Sequence, residues 1–212
     1  MEVQGLLNLI GNLSLGNDNV SPSERAIFLQ YLNLAHFHLY QITANFNQDL
    51  IINDTLANHQ NSNVVVLPSQ PFVTNNVYDI THKRKLEKTS LTQVLDKDPA
   101  LKSSTYPTQY YIQKNMLQFV PVQTAVTQIR IWYTPHPTPF TEATMEDDIP
   151  YPLAYHQVLA DGALYYLFQE EGGFKNMQKS NEALSRWEVG QTRLLSYLYT
   201  SSGEMLSTFS NA

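Results

Sequence analysis

The sequence predicts an α+β fold, an antiparallel helical bundle with an antiparallel β-sheet inserted into it. Three observations lead there. Residues 153–168 are apolar almost all round, interrupted only by His156, Gln157 and Asp161, as in a helix buried on several sides. Residues 21–48 and 176–198 carry apolar side chains at three/four spacing, the period of amphipathic helices. Residues 127–134 alternate, with Ile129, Ile131 and Tyr133 on one face and Gln128, Arg130, Trp132 and Thr134 on the other, the period of a half-covered strand. The expected organisation is a helical body from residues 1–62 and 135–200, a β region from 63–134 and a flexible tail from 201–212.

Residues 1–15 place Leu6, Leu9, Ile10 and Leu13 at helical spacing, although Gly5, Gly11 and Gly16 weaken the signal. Ser21-Pro22-Ser23-Glu24 then reads as a helix start: Ser as N-cap, Pro in the first turn and Glu to complete a capping box. That helix is expected to run to about residues 45–48. It carries two neighbouring stripes, Ile27/Tyr31/Leu34/His38/Ile42 and Phe28/Leu32/Ala35/Leu39/Phe46. So wide an apolar face suits a helix packed against two others.

Residues 52–63 are Asn-rich and read as a polar connection, after which Val64-Val65-Val66-Leu67 opens the β region. Residues 77–81 and 86–89 flank His82-Lys83-Arg84-Lys85, read as a hairpin turn. Ser90 starts a short helix ending before Asp98-Pro99. Residues 110–112, 116–120 and 127–133 read as three strands, with Gln113-Lys114-Asn115 turning between the first two. Pro135-His136-Pro137 ends the sheet, since proline cannot donate to a ladder. An acidic linker with Glu142, Glu146, Asp147 and Asp148 follows.

Pro150 and Pro152 sit where the first turn of the apolar helix is expected, a position that tolerates a missing N–H. The helix should place Leu159 and Leu167 in the core and end at Glu170-Glu171, with Gly172-Gly173 as cap and turn. About three residues later a last helix starts near Asn176 and brings Leu184, Trp187, Leu194 and Leu198 back against it. So short a connection makes the two helices antiparallel neighbours.

Composition narrows the function. Charged residues make up 15% of the chain against roughly 25% in an average globular protein, and there are 13 tyrosines. A weakly charged, Tyr-rich surface suits protein contacts. The net charge of −6 gives no global basic footprint for nucleic acid, and the basic run at 82–85 reads as solvated. No cysteine means no disulfide or thiolate metal site. The first residues lack the basic and apolar regions of a signal peptide, and the apolar helix is too short and too polar for a bilayer span.

Enzymatic motifs are wanting: there is no GxGxxG, P-loop, GxSxG or HExxH. His36 and His38 are two apart and point to different sides of a helix. His156 is expected to bond a backbone group or meet solvent. An enzyme or binding module on an α+β scaffold stays open as the alternative reading.

Larger blocks follow one another in a telling order. They are Leu67-Pro68-Ser69-Gln70-Pro71-Phe72, Tyr110-Tyr111-Ile112, Leu117-Gln118-Phe119-Val120-Pro121 and Ile129-Arg130-Ile131-Trp132-Tyr133. After these come the acidic linker, Ile149-Pro150 leading to Ala154-Tyr155-His156, and a Trp187-bearing helix. Over residues 21–199 this order resembles the head-to-tail adaptor (connector, head-completion) proteins of tailed bacteriophages. The chain departs from them in carrying fewer charges on its last helix and in its leading glycines.

The resemblance implies a structural virion protein rather than an enzyme, with no cofactor and no membrane. It implies a homo-oligomeric ring, typically of about twelve copies, in the neck of the virion and assembled in the host cytoplasm. The ring would contact the portal above and tail or nozzle proteins below. It would extend the channel through which duplex DNA passes, without specific binding, during ejection. The charge balance adds that an acidic set, Glu146, Asp147 and Asp148 or Glu170 and Glu171, faces the channel or its rim. The tail keeps Met205, Leu206 and Phe209 in an otherwise polar stretch, and Leu206 and Phe209 are the expected anchors for docking on the portal or another ring protein.

Overall fold

A computed structural model describes residues 1–16, 20–47, 50–58, 62–97, 103–104, 106–123, 125–170 and 173–201. The chain divides into two compact units, Met1–Asp49 with Pro137–Ala212, and Leu50–His136. The first is helical and the second is β-rich, as an α+β fold requires.

In the helical unit, α1 (Val3–Leu15) buries Val3, Leu6, Leu7 and Ile10. Leu13, expected in the buried stripe, is instead 44% exposed. The helix has no side-chain cap at its start. The Val3 and Gln4 N–H groups donate instead to the carbonyls of Asp147 (3.3 Å) and Met145 (3.0 Å), so linker backbone satisfies donors that every helix leaves open. Helix α2 (Pro22–Thr43) has the complete capping box: the Glu24 N–H donates to Ser21 Oγ, and the Ser21 N–H to Glu24 Oε2 at 2.9 Å. It buries Phe28, Tyr31, Leu32, Ala35, His36, Leu39, Tyr40 and Thr43. The buried face is therefore the second expected stripe widened by aromatic and polar neighbours, and Leu34 of the first stripe faces out.

The apolar segment does not start as an α-helix. Leu153–Tyr155 form a 3-10 turn, with Leu153 68% exposed, and the α-helix α4 spans only His156–Gln169 (α3, Leu91–Lys97, lies in the other unit). Pro152 caps that turn and Tyr151 is drawn into the core, so regular helix begins after the prolines. Beyond it the expectation of all-round burial holds: His156, residues 158–164, Leu167 and Phe168 are all buried. Helix α4 ends at an extended Glu170, before the glycines expected to cap it; of these, Gly172 lies outside the described residues. The connection to α5 (Met177–Ser201) is longer than three residues because Phe174 folds back, its ring edge-on to Phe28 at 5.9 Å. Asn176 Oδ1 caps α5, accepting from the Lys179 N–H at 3.0 Å. Ser180 Oγ donates to the Tyr165 carbonyl, and Arg186 meets Asp161. Contacts that run backwards along one helix as they run forwards along the other make α4 and α5 antiparallel.

In the β unit, β1 (Ile52–Asn58), β2 (Val64–Val66), β3 (Pro71–Asp79), β4 (Arg84–Lys85) and β5 (Glu87–Lys88) precede α3 (Leu91–Lys97). Then come β6 (Ser103–Ser104), β7 (Gln109–Gln113), β8 (Met116–Val120), β9 (Val122–Gln123) and β10 (Thr127–Pro135). Among the described residues these strands form two four-stranded sheets, β1-β10-β3-β4 and β2-β8-β7-β5, and a β6-β9 pair. The first contributes Val77, Ile129, Ile131 and Tyr133 to a core that Val65, Tyr110, Leu117 and Phe119 of the second complete. Leu86, between β4 and β5, is buried where the chain crosses from one sheet to the other. Three features depart from a single antiparallel sheet. The polar connection at 52–58 is a strand, paired along its length with β10. Strand β10 lies in a different sheet from β7 and β8, and the short β5-β7 and β6-β9 pairs are parallel. A period-two pattern marks the face a strand buries and says nothing about its neighbour.

Candidate functional site

Small residues on α5 let it lie close against α4. Gly190 faces Val158, where a Cβ would sit 2.7 Å from Val158 Cγ2. At Gly162 on α4 a Cβ would stand 2.8 Å from the Trp187 ring and 2.9 Å from Ala35 Cβ. Trp187 thus occupies a slot floored by glycine, with His38 (4.8 Å), Tyr165 and Tyr166 (both 5.5 Å) around its ring. Leu159, Leu167 and Trp187, the expected core residues, are all buried here.

Outside this seam runs a groove. A cavity of about 520 Å³ is lined by Ala154, Tyr155, Gln157, Val158, Asp161, Arg186, Val189, Gly190 and Arg193. It shares Tyr155 and Arg193 with one of about 470 Å³ that continues along Ser196, Tyr197 and Thr200. At the other end it shares Gln157, Asp161 and Arg186 with a smaller one of about 230 Å³ reaching Leu13 and Phe168. In the groove wall the buried Asp161 carboxylate accepts from Arg186 Nε at 2.8 Å. Val189 and Tyr197 are 48% and 46% exposed. Motif reasoning passed over this groove; its signal in the sequence is glycine at 190 within an otherwise strong helix.

A second polar cluster fastens the linker onto α2. Asn33 clasps Phe140, donating from Nδ2 to its carbonyl (2.9 Å) and accepting its N–H at Oδ1 (2.7 Å). His36 is buried beside the Phe140 ring at 4.6 Å, with the Tyr151 hydroxyl 3.5 Å from its Nδ1. Burial pushes the His36 pKa down to about 4 and that of Tyr40 up to about 12; it also raises Tyr151. His156, also buried, donates from Nε2 to the Tyr151 carbonyl at 2.7 Å, the backbone partner expected of it, and burial lowers its pKa.

In the β unit, Asp79 is buried beneath the basic run. It accepts the His82 N–H at 3.0 Å, with His82 Nδ1 2.7 Å away. Arg84 lies 3.8 Å from the same carboxylate and stacks 3.7 Å over Tyr106. Two of the four basic residues are therefore engaged inside the unit.

The acidic residues fall at two places. Glu146, Asp147 and Asp148 are exposed on the linker whose backbone caps α1, and Glu170 is exposed at the end of α4. Glu171, Leu206 and Phe209 lie outside the described residues. Among the described residues, no cluster of three His, Cys, Asp or Glu could hold a metal ion, and no helix is long and apolar enough to cross a membrane.

Residues 1–207 match the SU10 adaptor protein family. No curated protein matches the chain.

Proposed function

From the premise that this chain belongs to the SU10 adaptor family and is a phage structural adaptor protein, we propose that its copies close into a ring between portal and tail. The observation that carries the reading is the family match over nearly the whole chain. The exposed groove along α4 and α5, with Tyr155, Val189 and Tyr197 on its walls, supports it as a place for protein contacts. A ring of identical copies needs one patch meeting a different patch on the neighbour until the rotation closes.

The ring extends the DNA channel, in the virion neck. With −6 per chain, about twelve copies carry about −72, and a passing duplex is not gripped through counterion release. An acidic set, Glu146 with Asp147 and Asp148 or Glu170 with Glu171, faces the channel or its rim. Leu206 and Phe209 anchor the tail on the portal, with weak copies adding through effective concentration.

Purified protein mixed with purified portal rings tests this by electron microscopy and native mass spectrometry. The expected outcome is a closed ring of adaptor on the portal. A chain truncated after Ser201 should keep its melting temperature and lose the portal. Adaptor that stays monomeric with portal present, or that binds duplex tightly and salt-sensitively, would overturn the reading.

A further inference from the structure

We infer that the groove between α4 and α5 is the socket for the acidic linker of the neighbouring copy, with Asp147 and Asp148 of one chain set against Arg193 of the next. This rests on the ring reading and names which surfaces meet in it.

The socket has one charge left over. Asp161 and Arg186 neutralise each other at 2.8 Å, which leaves Arg193, in no ion pair among the described residues, where the two larger cavities join. Its helical neighbours at three and four residues are Val189, Gly190, Ser196 and Tyr197, so no carboxylate on its own helix stands at pairing distance. Around it Tyr155, Val189 and Tyr197 supply apolar wall. Such a wall excludes water and strengthens a charge pair formed against it.

The matching surface is the linker. Glu146, Asp147 and Asp148 are consecutive, exposed and in no ion pair among the described residues. Their backbone is held, with the Val3 and Gln4 N–H groups bonded to the Asp147 and Met145 carbonyls and a β-bridge between Glu2 and Asp148. A fixed ledge of carboxylates loses little freedom on docking. Ledge and socket are different patches of one chain, so their pairing is head-to-tail and propagates around a ring. Glu170 and Glu171 are then the acidic set left for the channel rim.

Charge swaps decide the matter, read as oligomer size by native mass spectrometry and sedimentation, alone and on purified portal rings. Arg193→Glu, and separately Asp147→Lys with Asp148→Lys, should each raise the concentration needed for assembly at least ~10-fold. Both positions are exposed, so circular dichroism melts should stay as in the parent. An equimolar mixture of the two variants should assemble again as the two alternate. The glutamate introduced at position 193 of one variant then meets the lysine ledge of the other, while the unaltered ledge of the first meets the unaltered Arg193 of the second. If the parent protein forms no ring even on portal, the ring reading itself fails. If the parent assembles and Arg193→Glu assembles equally well, or both variants fail and their mixture stays dispersed, the socket is wrong. Assembly that depends on residues 202–212 and ignores Arg193 would make the tail the occupant and overturn the linker.

Discussion

The helical unit and the β unit solve the same packing problem with opposite tolerances. Across its seams the helical unit sets Gly162 against the Trp187 ring and Ala35, and Gly190 against branched Val158, with Ala183 also fully buried. The β unit fills a smaller core between two sheets whose outer strands β4 and β5 are two residues each. Close-packed seams transmit any misfit, since interiors have few voids to absorb it. Short edge strands hold by a few ladder bonds, each worth about 0.5–1.5 kcal/mol. The helical unit should therefore respond sharply to single changes of volume and charge, and the β unit mildly. The two tryptophans allow each to be followed separately: Trp132 lies in β10 and Trp187 in α5, so Trp132→Phe or Trp187→Phe leaves one reporter.

The largest effect is expected at Leu159, fully buried in the first turn of α4. Leu159→Ala should cost about 2–5 kcal/mol through lost transfer energy and a residual cavity. The Trp187 reporter should show it in a denaturant titration. A loss under about 1 kcal/mol would mean the seam collapses easily, and the contrast between the units would disappear.

Acid comes next and also acts on the helical unit. His36 is buried with its pKa pushed down to about 4, by burial first, and His156 is lowered in the same direction. Between about pH 6.5 and 4 the unfolded chain binds protons that the folded chain refuses, so stability falls as pH falls through that window. For His36 the loss is about 2 kcal/mol by pH 5 and about 3 kcal/mol once pH 4 is passed. His36→Phe keeps an aromatic ring beside Phe140 and Tyr151 and should flatten the slope. If melting temperatures of the parent and His36→Phe proteins fall in parallel from pH 7 to 5, the acid sensitivity resides elsewhere.

Much of the helical unit was legible in the sequence because its information is local. The Ser21 capping box, the apolar run holding Leu159 and Leu167, and the three/four spacing around Trp187 each lie within one helix. Failures came where a partner far along the chain decides. Strand β1 is a strand because β10 pairs with it, and its Asn and Asp residues carry no strand signal alone. Leu153 is apolar yet exposed, since the prolines before α4 delay the regular helix. The groove was missed for the same reason. Asp161 reads as a polar interruption until Arg186, 25 residues on, is seen against it.

Gly162 tests the seam with a single methyl group. Its Cβ would meet the Trp187 ring and Ala35 Cβ inside 3 Å, and neither neighbour is the free end of a flexible chain. Overpacking of this kind costs about 1–3 kcal/mol, against the ~1 kcal/mol that alanine gains over glycine within a helix. Gly162→Ala should therefore destabilise by up to about 2 kcal/mol and change Trp187 emission. A stabilised variant would show the helices free to part, and the seam would rank with the sheets in tolerance.

The smallest change belongs to the β unit and asks what holds β1 there. Tyr133 is buried in β10, and its hydroxyl reaches across to β1, donating to Asp54 Oδ2 at 3.0 Å, with Ser69 Oγ 3.2 Å away. Tyr133→Phe keeps the ring in the core and deletes that link. The expected loss is about 0.5–1.5 kcal/mol, the net worth of a hydrogen bond whose acceptor is part-buried. It should be local. Amides of residues 52–58 should exchange faster, while those of α2 and α4 keep their protection, because local opening follows the weakest cooperative segment. Exchange at 52–58 unchanged by the variant would mean that the ladder from Ile52 to Asn58 holds the strand by itself. The side-chain bond would then fix only the place of Asp54, and the β unit would be more tolerant still than its short edges suggest.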